Sequence, residues 1–193
     1  HGFPANVCSS VNEQVVHGIP SKKIVLKDGD IVGLDVGARY RNYIGDTART
    51  FPVGEVSEDV RALLDVTEKG LSAGSGVIGP GCKLWEVSES VQKLAEKHGY
   101  GLVREYAGHG IGTRMHEDPQ VPNYVDMSSR YAELTLRPGM VICVEPMLNL
   151  GVSDVDVLDD GWTVVTSDRK VSAHFEHTIA VTEDGAEILT IAA

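Results

Sequence analysis

Ile31-Val32-Gly33-Leu34-Asp35-Val36-Gly37-Ala38-Arg39-Tyr40-Arg41-Asn42-Tyr43-Ile44-Gly45-Asp46-Thr47 reads as a β-hairpin with an acid buried in each arm. Ile31–Val36 and Tyr43–Thr47 are strand-like, and Arg41-Asn42 suits the turn. Aspartate is depleted in strands, and a buried carboxylate is costly unless it is paired or binds a cation. With the turn near residues 40–41, Asp35 and Asp46 become cross-strand partners, and like charges placed opposite each other repel. A bound cation removes the conflict. The plainer alternative is that one of the two caps a turn and faces water, the common fate of a lone strand aspartate. Two facing aspartates weaken that alternative.

The theme recurs downstream. Met140-Val141-Ile142-Cys143-Val144-Glu145 is an apolar strand ending in a carboxylate, and Glu176 sits in Phe175-Glu176-His177-Thr178-Ile179. His109 and His116 lie in Gly108-His-Gly-Ile-Gly-Thr-Arg-Met-His-Glu117, where the glycines allow close backbone approach. Four strand carboxylates and a glycine-framed histidine form an oxygen-rich set. It suits Mn²⁺, Fe²⁺ or Co²⁺ and fits a structural zinc site poorly. Carboxylates that bridge two ions hold them ~3.5–4 Å apart in hydrolytic centres. Spacing alone therefore reaches a carboxylate-rich dimetal hydrolase and names no substrate.

Around these segments, Ser57 caps an expected helix carrying Val60, Leu63, Leu64 and Leu71. A second helix carries Leu84, Val87, Val91 and Leu94 and stops at Gly99. Trp162–Thr166 and His177–Val181 read as strands, and Asp184-Gly185 as a hairpin turn before Glu187–Thr190. Strands and helices mix without regular βαβ alternation. The expected class is α+β, mainly antiparallel sheet with helices on one face.

Composition removes other classes. The chain has 193 residues, enough for one sizeable domain, and 17 basic against 28 acidic side chains give a net charge of −11. Nucleic-acid affinity rests on clustered Lys and Arg, so no nucleic-acid partner is expected. No apolar run approaches the ~20 residues of a membrane-spanning helix, so no membrane partner is expected either. Cys8, Cys82 and Cys143 make no disulfide framework and no CxxC pair, and read as buried structural thiols of a reducing compartment. HExxH does not occur, and no GxSxG nucleophile elbow is expected.

A family resemblance runs through the chain. His1-Gly-Phe-Pro4, Ser10-Val-Asn-Glu13, Val16-His-Gly-Ile-Pro20, Gly45-Asp-Thr-Ala-Arg49 and Val103-Arg-Glu-Tyr106 resemble type I methionine aminopeptidases. So do Gly108-His-Gly-Ile-Gly112, His116-Glu-Asp-Pro-Gln-Val-Pro-Asn-Tyr124, Arg137-Pro-Gly-Met140, Glu145-Pro-Met147, Asp160-Gly-Trp-Thr163 and Phe175-Glu-His-Thr178. The resemblance implies the pita-bread α+β fold, two pseudo-symmetric halves around a curved antiparallel sheet with helices outside. It implies removal of the initiator methionine where the second residue is small. The family's metal ligands fall on Asp35, Asp46, His109, Glu145 and Glu176, with Asp46 and Glu176 bridging two divalent ions (Co, Mn or Fe, with Zn or Ni open). Metal-activated water attacks the scissile carbonyl in that scheme, with Glu145 also shuttling the proton and His116 and His17 contacting the peptide. Phe3, Cys8 and Trp162 match substrate-pocket positions, with His1 beside them, while Phe3 and Trp162 read equally well as core aromatics. His177 follows a ligand on a strand, faces the other way and reads as structural.

The same resemblance implies a peptide or nascent-chain N-terminus as partner, with ribosome association open, a monomer, and a cytoplasmic setting unless a transit segment was removed. Residues 1–193 form one catalytic domain on this reading. The first residue is His1, inside a family motif, so the family's N-terminal segment is expected to be missing. Ala107 and His174 replace the family's common Cys and Gln, and neither is expected to touch a ligand position. Two alternatives stand beside the aminopeptidase: a proline-specific relative such as aminopeptidase P or prolidase, and a catalytically dead binding module. His-Gly-Ile-Pro and Asp-Gly-Trp-Thr favour the methionine-specific branch, and the complete ligand set disfavours the dead module.

Overall fold

A computed structural model describes residues 2–191 of the chain. The first third is strand: β1 (Cys8–Val11), β2 (Gln14–Val16), β3 (Ile31–Tyr40) and β4 (Tyr43–Pro52). Two helices follow, α1 (Glu58–Gly76) and α2 (Leu84–His98). The chain then returns to short strands: β5 (Gly101–Leu102), β6 (Gly108–Gly110), β7 (Glu117–Val121), β8 (Val141–Val144) and β9 (Met147–Asn149). The last are β10 (Val155–Val157), β11 (Val164–Thr166), β12 (Ser172–His174), β13 (Glu176–Val181) and β14 (Ala186–Ile188).

The main sheet has the order β1-β3-β4-β13-β8-β6-β7, with β14 added to β13. All its pairings are antiparallel. Two three-stranded sheets, β10-β11-β2 and β12-β9-β5, flank it. The expected α+β class with antiparallel sheet is the one observed.

The hairpin of β3 and β4 forms as the sequence indicates, with a different register. Its turn is Arg41-Asn42, both at positive φ (46° and 74°), and Tyr40 pairs with Tyr43. Such a two-residue turn matches the right-handed twist of the strands. Asp35 therefore faces Ala48, and Asp46 faces Gly37; the aspartates are diagonal neighbours and not direct partners. The turn centre lies one residue later than the expected midpoint, which shifts the register by two. A shift of two leaves every side chain on its original face, so both acids still share one.

Both helices end where their sequence signals place them. The Ser57 side chain accepts a hydrogen bond from the Val60 N–H, which satisfies a free donor at the start of α1 and contributes about 1 kcal/mol. Gly99 closes α2 in the left-handed region at φ 72°. The motif of a nucleophile elbow does occur in the sequence, within α1, but without the elbow's structure. Gly70-Leu71-Ser72-Ala73-Gly74 does spell GxSxG. It lies inside the helix, where the Ser72 hydroxyl donates to the Glu68 carbonyl four residues back. A nucleophile elbow needs a strand-to-helix turn, which this is not.

Strand alternation divides the main sheet into two chemically distinct faces. Ile142, Val144, Ile179 and Val181 point to one face and pack with Leu63, Leu71, Val87 and Val91 of the two helices. Each such burial is worth roughly 1.5–3 kcal/mol. The intervening residues of the same strands, Cys143 and Thr178, are register partners and point to the opposite face. No helix among the described residues is long and apolar enough to cross a membrane.

Candidate metal centre

The polar face of the main sheet gathers the acids. Asp35 on β3 pairs with Ala48 on β4, and Ala48 pairs with Glu176 on β13, so Asp35 and Glu176 project from the same side. Asp46 lies two residues before Ala48 and shares that side. Glu145 follows β8, two residues after Cys143, and His109 sits at the middle of β6. Glycines 108 and 110 frame His109 for a steric reason. A Cβ at Gly108 would lie 2.2 Å from the Cys143 carbonyl oxygen, and one at Gly110 would lie 2.1 Å from the Asp118 carbonyl oxygen.

These five residues floor a cavity of about 460 Å³. His17, His116, Phe3, Cys8 and Trp162 also line it. The structure thus brings together all the sequence-selected residues except His1, which lies outside the described residues. Phe3 and Trp162 meet edge to face at 5.3 Å between ring centres, and the His17 ring lies 6.5 Å from Trp162. His116 stands over His109 with ring centres 4.4 Å apart. Both aromatics are half-buried, so they form wall and not interior core. His17 holds φ at 59°, an uncommon conformation for a residue with a Cβ. His177 points away from the cavity, and its Nδ1 lies 2.8 Å from Thr190 Oγ1.

Burial and mutual repulsion dominate the electrostatics of the clustered acids. Burial raises the Asp35 carboxyl to about 7, and the negative charge of Asp46 adds to the shift. Burial likewise raises Asp46. Glu145 and Glu176 are held well above the usual carboxylate range, first by burial and then by the neighbouring acids. Burial lowers His109, and it lowers His116 and His17 with help from a neighbouring imidazole. A neutral imidazole is the form that ligates a metal. The 3.9 Å and 3.7 Å approaches of His109 Nε2 to Asp46 Oδ2 and Glu145 Oε1 are therefore not ion pairs, and they are too long for hydrogen bonds.

The donor set fits a divalent ion. Asp46 Oδ1 and Glu176 Oε1 are buried with no hydrogen-bond partner. An unsatisfied buried acceptor costs about 1–3 kcal/mol, and more when charged. One donor atom each from Asp46, His109, Cys143 and Glu176 lie within 4.8 Å of one another, all four residues buried.

Two residues in this neighbourhood went unassigned by sequence. The Cys143 sulfur belongs to the cluster, although the residue reads as a plain structural thiol. The usable signal was its parity with Glu145 two positions on, which puts both side chains on one face. His174 was expected to stay clear of the ligand positions, and this is corrected. Its Nε2 lies 3.7 Å from Glu145 Oε2, because β12 ends beside the segment that follows β8. Burial lowers its pKa to about 3.

Residues 1–183 match the sequence profile of Metallopeptidase family M24. The chain belongs to metallopeptidase family M24. Among its relatives is methionine aminopeptidase 1 of Bacillus subtilis, 50% identical over 190 residues that cover 98% of this chain and 75% of that protein. The crystal structure of methionine aminopeptidase from Rickettsia prowazekii superposes with a TM-score of 0.93 at 45% identity, covering 98% of this chain and 75% of that one. Prolidase from Pyrococcus furiosus superposes at 0.76 with 25% identity, over 98% of this chain and 50% of that one. The M24 chain has the expected pita-bread fold, a curled antiparallel sheet with its two helices on one face.

Proposed function

We propose that this M24 chain is a dimetal methionyl aminopeptidase, acting on peptides and nascent proteins whose second residue is small. The observation that carries the reading is the convergence of Asp35, Asp46, His109, Glu145 and Glu176 on the floor of one cavity with apolar walls. Identities of 45–50% to methionine aminopeptidases, against 25% to a prolidase, support the methionine branch. In this reading Asp35, Asp46, His109, Glu145 and Glu176 would hold two divalent ions, for which Co, Mn and Fe suit the oxygen-rich set best, with Zn and Ni as the alternatives. Divalent ions bound there supply Lewis acidity and activate water for attack on a carbonyl.

The chain's own residues do the rest. Glu145 takes the proton of the attacking water and returns it to the leaving amine, from its place on the floor of the cavity. His116 and His17 line the cavity as neutral donors that orient the scissile amide and stabilise its developing oxyanion. Phe3, Trp162 and Cys8 form the wall that receives the methionine thioether. Residues 1–193 act as a single catalytic domain, monomeric in this reading. A nascent chain at the ribosome in the cytoplasm is its proposed setting, on the strength of its relatives alone.

The test is release of methionine from Met-Gly-Met by protein loaded with Mn²⁺, Co²⁺ or Fe²⁺, alongside an Xaa-Pro peptide. Methionine release without Xaa-Pro cleavage is expected. The reverse pattern would establish the proline-specific alternative, and no release from either would sink the enzyme reading. Glu145→Gln should lower turnover by roughly 10²–10⁴-fold with circular dichroism unchanged. An unchanged rate would refute the Glu145 assignment.

A further inference from the structure

Cys143 has no part in the mechanism above, yet its sulfur is buried inside the ligand cluster. It lies on β8 at zero exposure, and its donor atom belongs to the group within 4.8 Å that also contains Asp46, His109 and Glu176. Donors around one tetrahedral ion sit roughly 3.3–3.8 Å apart, given bonds of about 2.0–2.3 Å. A spread of up to 4.8 Å closes with side-chain adjustments of about an ångström. The thiol's neighbours are the Glu176 carboxylate, to which it hydrogen-bonds, and Thr178. Thr178 Oγ1, 3.6 Å away, already donates its proton to the Asp46 carbonyl and accepts from the Asp46 N–H. On the far side of the cluster, Asp46 Oδ1 and Glu176 Oε1 are buried without partners, in residues 4% and 2% exposed. One oxygen each from Asp46 and Glu176, one imidazole nitrogen and one thiol surround the same small volume.

We propose that Cys143 supplies a sulfur donor to a divalent ion held with Asp46, His109 and Glu176, which makes this position selective for thiophilic ions such as Zn²⁺ over Mn²⁺. The inference rests on the metal-binding reading of the site and adds a donor to it. Binding breaks the S–H bond, forms a sulfur–metal bond and releases the proton to buffer, with no change in oxidation state. A thiol that coordinates a cation is deprotonated outright. Soft thiolate favours zinc, whereas carboxylate-only positions suit manganese.

The test uses cobalt(II) as a spectroscopic probe and zinc against manganese as the selectivity probe. Cobalt-loaded wild-type protein should show a near-ultraviolet thiolate-to-cobalt charge-transfer band. Cys143→Ser should abolish it, and Cys8→Ser should keep it, since the clustered donor atoms include the Cys143 sulfur and not that of Cys8. Cys143→Ser should weaken zinc about 10- to 100-fold, as loss of a side chain supporting a metal does. Manganese affinity should change by less than about threefold, because carboxylate and imidazole donors remain for it. Should Cys143→Ser fail to fold, Cys143→Ala takes its place, and the wild-type and Cys8→Ser spectra still decide. Cobalt that binds without a charge-transfer band overturns the sulfur ligand and leaves the metal site standing. A band lost with Cys8→Ser and kept with Cys143→Ser overturns it equally. A wild-type protein that takes up no cobalt, zinc or manganese overturns the metal-site reading itself.

Discussion

His174 illustrates how much one imidazole can matter at a site it does not line. It is 4% exposed, its Nε2 has no hydrogen-bond partner, and that atom points at Glu145 Oε2 from 3.7 Å. Once one Glu145 oxygen faces an ion, the other needs a donor, and a neutral His174 provides one. Partners of this kind orient a ligand, and their loss usually costs about 10–100-fold in metal affinity. His174→Ala should therefore weaken manganese binding by that factor in calorimetric titration. His174→Gln keeps an N–H donor on a side chain of similar reach and should recover most of the loss. Equal affinities in wild type and His174→Ala would show that Glu145 needs no such support. Neither His174 nor Cys143 was legible as part of the site. A lone cysteine among valines and isoleucine reads as a small hydrophobe. The neighbourhood of His174 depends on where β12 ends relative to the turn after β8, a tertiary fact with no local signal.

At the scale of elements, the short strand β6 carries the tightest steric condition. It passes so close to β8 and to the start of β7 that its glycines have no room for a methyl group. A Cβ at Gly108 would collide with the Cys143 carbonyl at 2.2 Å and one at Gly110 with the Asp118 carbonyl at 2.1 Å, both backbone atoms that cannot rotate away. Gly108→Ala and Gly110→Ala should each destabilise the fold by about 1–3 kcal/mol, the usual range for overpacking. Each should also displace His109 and weaken metal binding; denaturant melts and metal titration measure the two effects separately. Wild-type behaviour in both would mean that β6 moves freely, contrary to its packing. The element scale was also where sequence reading worked best and where it slipped. Ser57 and Gly99 marked helix ends correctly because caps are local chemistry. The face shared by Asp35 and Asp46 was legible from alternation alone. Their register was not, since a turn at residues 40–41 and one at 41–42 suit the same apolar pattern, and the positive φ of Arg41 and Asn42 decided it.

For the whole molecule, acids and histidines of the centre pull stability in opposite directions with pH. A carboxyl whose folded pKa is raised contributes stability that is full below its unfolded value and lost as pH rises through the folded one; for Asp35 that window runs from about 4 to about 7. A histidine whose folded pKa is depressed contributes stability present above about 6.5 and lost as pH falls. The two sets offset each other in the metal-free protein. They act together in metal binding, since both must be free of the extra proton to ligate. The gain in melting temperature on adding Mn²⁺ to chelator-stripped protein should be small at pH 5 and large at pH 8. At 100-fold excess over Kd the stabilisation is about 2.7 kcal/mol, or roughly 5–10 °C for a domain of this size. A gain independent of pH in scanning calorimetry would exclude the buried acids as the ligands.

The strand order β1-β3-β4-β13-β8-β6-β7 sets a schedule for biogenesis. The strand joining the two halves of the main sheet, β13, leaves the ribosome after β4 and β8 have both emerged. Until Glu176–Val181 emerges, β4 and β8 each present an open edge to the solvent. Such edges invite pairing with other chains, and incomplete chains that expose them are prone to aggregate. The central seam is therefore closed by a strand made after both of its neighbours, and a nascent chain that has not yet reached β13 carries both open edges.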